Sequence, residues 1–91
     1  FDYAIVGCSA LGEEGELFDF DDQEVEASRI ILQSARTSIL VADSSKFLRT
    51  APIKIADVAA IDHFVTDIGP DKRVRQVLKT SKTTLHIAGE K

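Results

Sequence analysis

Three short apolar runs, each followed by small or acidic residues, constrain the fold of this chain more than any other feature. Because the runs are nearly continuous rather than alternating, they predict strands buried on both faces, as in the parallel sheets of α/β proteins. A fourth run, residues 83–88, alternates more and is expected nearer a sheet edge. The three runs, each with the residues that follow it, are Tyr3–Val6 with Gly7, Cys8 and Ser9; residues 38–42 with Asp43, Ser44, Ser45 and Lys46; and His63–Thr66 with Asp67, Ile68 and Gly69.

Size and composition indicate one small domain. The chain has 91 residues, of which 44% are hydrophobic and 29% charged, so it has the composition of a domain with a core. A domain this small buries only about two-thirds of its unfolded surface, and we therefore expect a homo-oligomer. The first residue is Phe1 rather than methionine, and it already leads into a strand-like run, which suggests a fragment of a longer protein.

Charge and cysteine content exclude several classes of function. The net charge of −4 argues against the broad basic surface of a nucleic-acid-binding domain. A single cysteine, Cys8, permits neither an intrachain disulfide nor a cysteine zinc site, which fits a cytosolic protein. No apolar run approaches the ~20 residues of a membrane span, and no signal peptide is evident. We expect no cofactor, no metal and no membrane partner.

Two helices are predicted between the runs. Asp21 is a suitable N-cap for a helix over residues 22–36, and Glu24 three residues later completes a capping arrangement. Glu24 also shares the apolar face, so a role toward a ligand or a buried partner stays open beside capping. A second helix over residues 71–79 places basic residues opposite an apolar stripe and links the third and fourth runs. The predicted core face of the first helix contains Val25, Ala27, Ile31, Leu32 and Ala35; the predicted solvated face of the second contains Lys72, Arg73 and Arg75.

The stretch between the second and third runs carries two weaker signals. Ile53, Lys54 and Ile55 alternate as in a short strand, and residues 57–60 can form one helical turn.

The residues that follow the three strands are the candidate site. In parallel sheets ligands bind beyond the carboxyl ends of the strands, where loops converge. The segment from Asp43 to Lys46 combines a carboxylate, two hydroxyls and an ammonium, a set suited to a phosphorylated polyol. A turn closed by Asp43 and Ser45, with Lys46 solvated, is the alternative. The candidate effector-binding residues are Gly7, Ser9, Asp43, Ser45, Lys46 and Asp67.

Other reactive residues lack partners in the sequence. The small-residue loop over residues 7–12 is neither a Walker loop nor a dinucleotide-binding or nucleophile-elbow motif. His63 and His86 lie far apart with no acidic or cysteine ligand at metal spacing. Cys8 has no histidine signature beside it, so nucleophilic catalysis is not expected. Asp67 is equally suited to accepting a hydrogen bond from a sugar hydroxyl and to capping a turn.

About three-quarters of the chain resembles the DeoR family of bacterial transcription regulators, in the carboxyl-terminal half of the sensor domain. The resemblance rests on the first run with Gly7 to Ser9, on the D-S-S-K-F segment from Asp43, and on the V-T-D segment ending at Asp67. It implies a fold like ribose-5-phosphate isomerase and the coenzyme A transferases, with a mainly parallel sheet and flanking helices. It departs at Leu48, where family members usually have glycine.

The resemblance also implies a function. Such domains sense a phosphorylated sugar or polyol and control an attached helix-turn-helix, which is absent here, in repressors of sugar or polyol catabolism. The isomerase carries a similar D-x-S-K segment whose lysine is associated with substrate phosphate. The resemblance therefore implies an effector-binding role for Lys46 first and for Asp43 second. The alternative is a fragment of an isomerase-like enzyme, and a third reading is a simple interaction module. Nothing in the sequence identifies a poised general base.

Overall fold

The chain folds into two sheets and two helices. A computed structural model describes residues 2–47 and 49–88. Phe1, assigned to the first run, and Leu48, the departure noted above, lie outside these residues. The strands are β1 (Tyr3–Val6), β2 (Ala10–Leu11), β3 (Glu16–Asp19), β4 (Thr37–Val41), β5 (Ile53–Asp57), β6 (His63–Thr66) and β7 (Thr84–Ile87), and the helices are α1 (Asp22–Ser34) and α2 (Lys72–Thr80).

The larger sheet is parallel and contains the four predicted runs. Its order is β1-β4-β6-β7, so each strand lies beside the next run in the sequence. The second predicted run, residues 38–42, forms β4, which begins one residue earlier, at Thr37, and ends at Val41. The fourth run forms β7 at the edge of this sheet, as its alternation predicted. The α/β fold class is therefore confirmed.

A small antiparallel sheet was not predicted in full. It has the order β2-β3-β5, and only β5 and the short helical turn after it, Val58–Ala60, were expected. Strands β2 and β3 were not predicted because β2 has only two residues and β3 only four. Gly15 makes the tight turn between them with a φ of 84°, a conformation that glycine adopts without steric cost.

Helix α1 is capped by Asp21 as predicted, but among the described residues the Glu24 carboxylate forms no hydrogen bond back to Asp21, and the buried face of the helix is narrower than expected. Asp21 Oδ1 accepts hydrogen bonds from the amides of Gln23 at 2.8 Å and Glu24 at 3.4 Å. The helix ends at Ser34, two residues before the predicted end. Its one fully buried residue is Val25, and the placement of Ala27 in the core is wrong because Ala27 is exposed. Ile31, Leu32 and Ala35 are half-buried and Glu24 is exposed.

The position of α1 explains this narrow face. The helix packs on β5 and on the sheet margin at β1, and the Arg29 side chain donates to the carbonyl oxygens of Ile55, at 3.2 Å, and Lys54. Helix α2 follows the prediction closely. Asp71 caps it by accepting from the Val74 amide at 3.2 Å, Val74 and Leu78 are buried, and the basic face is exposed.

The core lies on one face of the parallel sheet. There the side chains of Val6, Leu40 and Phe64 meet the small sheet and both helices. The opposite face is open, and Tyr3, Ile5 and Val41 on it are 68%, 69% and 50% exposed. The prediction that the strands are buried on both faces is therefore wrong for the described residues. Right-handed crossovers that run in one direction through a sheet lie on one face of it, which accounts for the difference.

A reciprocal side-chain pair joins the start of β4 to the residue before β6. Asp62 Oδ2 accepts from the Ser38 amide at 2.9 Å and from the Ser38 hydroxyl at 3.3 Å. The Asp62 amide in turn donates to Ser38 Oγ at 3.1 Å. These bonds lower the pKa of the Asp62 carboxyl, the amide bond most, because they favour its charged form.

Candidate functional site

The carboxyl ends of β1, β4 and β6 lie next to one another on one edge of the parallel sheet. This edge, called the rim below, carries the residues that follow each strand. It therefore places Gly7, Asp43 and Asp67 on three consecutive strand ends, as the sequence predicted. The described part of the chain includes all six candidate residues.

Asp43 organises the loop that follows β4. It is the N-cap of a short 3-10 turn, Ser44–Lys46, and its Oδ1 accepts from the amide of Ser45 at 2.9 Å and from the Ser45 hydroxyl. The two bonds from Ser45, that of the hydroxyl first, lower the pKa of the Asp43 carboxyl. The turn geometry that the sequence left as an alternative is thus present, and it leaves the carboxylate ionised and exposed.

Asp67 ties the end of β6 to the same turn. Its Oδ1 accepts from the Ser44 amide at 2.7 Å and its Oδ2 from the Ser44 hydroxyl at 3.2 Å. The amide of Ile68 also donates to Oδ1, at 3.0 Å. These bonds, led by that of the Ser44 amide, lower the pKa of the Asp67 carboxyl. Ser44, which the candidate set omitted, is therefore the residue that joins the two strand ends.

Lys46 closes the turn and brings a positive charge to the rim. Its amide donates to the Asp43 carbonyl at 3.1 Å. Its ammonium adds to the lowering of the Asp43 pKa and opposes part of the rise in the pKa of Cys8 that burial causes. The next residue, Phe47, packs edge-on against Phe64, with ring centroids 6.3 Å apart. Because Phe64 is fully buried, this contact anchors the turn to the core.

Gly7 and Ser9 differ in how free each residue is to contact a ligand. A Cβ on Gly7 would meet the Val41 carbonyl oxygen at 3.7 Å, an ordinary contact, so no neighbouring atom requires glycine there. Ser9 is held by β3: its hydroxyl donates to Asp19 Oδ1 at 2.8 Å and its amide to the Phe18 carbonyl at 2.9 Å. The structure thus joins Asp43, Ser45, Lys46 and Asp67 by one turn and engages the Ser9 hydroxyl elsewhere.

Cys8 is not suited to nucleophilic chemistry. Burial raises the pKa of its thiol to about 11, and the nearby Asp19 carboxylate adds to that rise. Because the thiolate is the nucleophile, the residue is inert at neutral pH.

An apolar cleft lies beside the rim. It has a volume of about 250 Å³ and borders Phe47, immediately after the Lys46 turn. Its other lining residues are Leu11, Gly12, Gly69, Pro70, Asp71 and Val74. The rim therefore offers charged and hydroxyl groups next to an apolar surface, the combination typical of small-molecule sites.

Sequence comparison decides the family. The profile described as the DeoR C-terminal sensor domain matches residues 1–68, which include the whole rim up to Asp67. The chain belongs to the DeoR sensor-domain family. The resemblance drawn from the D-S-S-K-F and V-T-D segments is confirmed.

The curated relatives of this DeoR-family domain are transcription regulators. It is 37% identical over 90 residues to the glycerol-3-phosphate regulon repressor of Haemophilus influenzae, covering 99% of this chain and 35% of that protein. It is 38% identical over 77 residues to the repressor of the same name from Escherichia coli K12, covering 85% and 31%. The HTH-type transcriptional repressor CsqR of E. coli K12 is 28% identical over 89 residues, covering 98% and 34%. The chain thus spans about a third of the length of these relatives.

Two features of the DeoR-family domain escaped the sequence analysis. Arg75, assigned only to a solvated face, donates from Nε to the Pro70 carbonyl at 2.8 Å, and its guanidinium covers Gly69. His63 and His86, distant in sequence, lie on neighbouring strands with Nδ1 of the first 3.0 Å from Nε2 of the second. Only the register of β6 against β7 reveals this pair. Within residues 2–47 and 49–88, no three histidine, cysteine or acidic residues form a metal-binding group.

No helix in the part of the chain that the structure describes is long and apolar enough to cross a membrane.

Proposed function

We propose that residues 1–91 form the carboxyl-terminal part of an effector-sensing domain, and that this domain binds a phosphorylated sugar or polyol at the rim. The observation that carries the proposal is the Asp43-to-Lys46 turn with Asp67 bonded to it, which together hold a cation, two hydroxyls and two ionised carboxylates at the carboxyl edge of a parallel sheet. Membership of the sensor-domain family supports it.

The charges of the turn give the ligand one orientation. Lys46 attracts the phosphate as a point charge, and the carboxylates of Asp43 and Asp67 repel it. The same carboxylates accept hydrogen bonds from the hydroxyls of a sugar or polyol. The phosphate therefore lies toward Lys46 and the hydroxylated end toward the two aspartates. Gly7, which is exposed and has no side chain, allows close approach of the ligand to the backbone of the strand end.

Binding regulates transcription by shifting a population of conformations. The three relatives described above are named as repressors, so we propose that a helix-turn-helix domain elsewhere in the longer protein binds DNA. The ligand changes operator affinity only if it binds one arrangement of the domains more tightly than another. No cofactor is needed for such a role. Homo-oligomerisation belongs to the same proposal, and light scattering of the full-length protein at micromolar concentration tests it.

Glycerol 3-phosphate is the first ligand to test, because two relatives are named for a glycerol-3-phosphate regulon. The experiment is calorimetric titration of the full-length regulator with triose, pentose and hexose phosphates, glycerol 3-phosphate, and their unphosphorylated counterparts. Lys46→Ala is the test variant, and Lys79→Ala, an exposed lysine in the last turn of α2, is the matched control.

A charged hydrogen bond is worth about 1.5–3 kcal/mol, so Lys46→Ala should weaken binding by at least about tenfold and Lys79→Ala should not. Equal binding by Lys46→Ala, or binding indifferent to phosphate, would refute the phosphate site.

We propose a regulator rather than an enzyme. Incubation of the same ligands with the wild-type protein tests this, and conversion of a bound sugar phosphate would favour the isomerase-like alternative.

A further inference from the structure

The Arg75 side chain bends back from α2 onto the loop that follows β6. Its Nε donates to the Pro70 carbonyl at 2.8 Å. A Cβ added to Gly69 would overlap Nη2 of the same side chain and would lie 3.1 Å from Ile87 Cδ1, at the end of β7. Because β6 and β7 are parallel, their carboxyl ends share the edge that carries the rim. The guanidinium therefore lies at the rim, beside Gly69.

Gly69 leaves the space that this guanidinium occupies. Its φ lies outside the left-handed region, so the backbone at this position suits any residue and does not itself require glycine. A larger residue would meet the Arg75 side chain instead, and after it only the end of the Ile87 side chain. The glycine and the arginine thus fit each other, and the fit keeps a positive charge next to a bare stretch of backbone.

Lys46 approaches Gly69 from the other side. Strand β6 lies between β4 and β7, so the turn that follows β4 and the Arg75 guanidinium beside β7 flank the loop that follows β6. The β4 turn is close to this loop because it is bonded to Asp67 at the end of β6, and because Phe47, the residue after Lys46, lines the same cleft as Gly69. An anion resting on the backbone of Gly69 therefore has a cation on each side.

Neither of these cations is paired with a carboxylate in the described structure. Three other basic residues, Lys54, Arg73 and Lys82, each form an ion pair. In the part of the chain that the structure describes, Lys46 and Arg75 form none. Since the Arg75 Nε is bound to a carbonyl, the two Nη groups remain as donors, and such a fork matches two oxygens of a phosphate.

The charges of the rim call for a second cation. Lys46 alone faces the two ionised carboxylates of Asp43 and Asp67, which repel a phosphate dianion. Both Asp67 oxygens accept from Ser44, so this carboxylate is turned toward β4 and away from β7. The guanidinium of Arg75, on the β7 side of the same loop, brings the number of positive charges level with the number of carboxylates.

We propose that Arg75 is a second phosphate-binding residue, and that it holds the phosphate of the effector together with Lys46, over the backbone of Gly69. This inference rests on the proposed function and deepens it. A lysine attracts any anion as a point charge, whereas a guanidinium fork selects an oxyanion by its shape. The two residues together therefore make the site specific for a phosphate group.

Calorimetric titration of the full-length protein tests the inference, with glycerol 3-phosphate or whichever sugar phosphate of the series above binds more tightly. Arg75→Ala should weaken binding at least about tenfold, because it removes charged hydrogen bonds. Arg73→Ala is the matched control, since Arg73 has the same charge on the same helix but is paired with Glu13, and it should change binding less than about twofold.

Gly69→Ala provides a second variant that keeps the charge. Its new Cβ displaces the guanidinium, so it should weaken binding at least about tenfold while Arg75 is still present. In the Arg75→Ala background the same substitution should have no further effect, because the two changes remove one contact. Additive losses, or no loss with Gly69→Ala, would contradict the proposed position of the guanidinium.

Inorganic phosphate, added as a competitor, separates a direct contact from a role in shaping the loop. It has no carbon-bound hydroxyls for the aspartates to hold, so its competition reports the cations alone. Arg75→Ala should weaken this competition at least about tenfold. Unchanged competition, or none in the wild type, would overturn the inference. If Lys46→Ala weakens ligand binding and Arg75→Ala does not, the proposed function stands and the inference is wrong. If no phosphorylated ligand of the series binds, both fail.

Discussion

Asp62 provides a quantitative test of how β4 is held against β6. Asp62→Ala removes the two bonds that its carboxylate accepts from Ser38, at 2.9 and 3.3 Å. A hydrogen bond to a charged group contributes about 1.5–3 kcal/mol. The second contact is long and the Asp62 side chain is 30% exposed, so the pair is counted as one such bond. We expect the free energy of unfolding to fall by about 2 kcal/mol at pH 7.

The effect should depend on pH with a defined sign. The pKa of Asp62 is lowered in the folded state, chiefly by the bond from the Ser38 amide. The carboxylate therefore stabilises the fold above its unfolded pKa of about 3.9, and this contribution is lost as the pH falls through the lower folded value. The difference between wild type and Asp62→Ala should be largest at neutral pH and should shrink below about pH 4.

Urea unfolding of the full-length protein at pH 7 and at about pH 3.5 measures both quantities. Asp57→Ala is the control, because Asp57 forms a more exposed ion pair with Lys54 at 2.9 Å, and it should cost less than about 1 kcal/mol. A loss for Asp62→Ala that is the same at both pH values would refute the role assigned to the charge. A loss no larger than that of the control would refute the pair as a stabilising contact.

Three further outcomes follow from local geometry. Gly15→Ala should lower the unfolding free energy by about 1–3 kcal/mol, because φ is 84° and the new Cβ would lie 2.5 Å from Val58 Cγ1; an unchanged urea midpoint would contradict this. Thr83→Val should cost about 1–2 kcal/mol in the same assay, since the buried Thr83 hydroxyl donates to the carbonyls of Val58 and Ile61, at 2.9 and 2.6 Å; the exposed Thr84→Val should cost nothing. Cys8, with its pKa raised to about 11, should react with iodoacetamide at pH 8 far more slowly than free cysteine and faster as the pH rises; rapid labelling at pH 8 would show that the thiol is not buried.

The parallel sheet was predictable because each of its strands is a local apolar run with its own end signal. The predicted cap Asp21 also acts within three residues of its own position, as does Asp71, which was predicted as the first residue of the second helix rather than as its cap. The antiparallel sheet was not predictable in full, because β2 and β3 are too short to carry a periodic signal and are stabilised by pairing with distant β5. The open face of the parallel sheet was not predicted, because an apolar run does not show whether other residues of the same segment cover one of its two faces or both.

The candidate site was predictable to the level of strand ends and no further. The rule that ligands bind beyond parallel strands placed Asp43, Lys46 and Asp67 together. It did not show that the Ser44 hydroxyl bonds across the rim to Asp67 while the Ser9 hydroxyl bonds to Asp19 of the small sheet, because that depends on which way each hydroxyl turns after its strand. Similarly, the proximity of His63 to His86 depends on strand register, which a single sequence states only indirectly.

Strands β4 and β6 are fastened together at both ends by an aspartate and a serine. At one end Asp62 holds Ser38, and at the other Asp67 holds Ser44. Bonds at both ends of the pair oppose a shift of one strand along the other. Under the proposed function, a ligand held by Lys46 would therefore act on β4 and β6 together, and the strands next in line to feel it would be their neighbours in the sheet, β1 and β7.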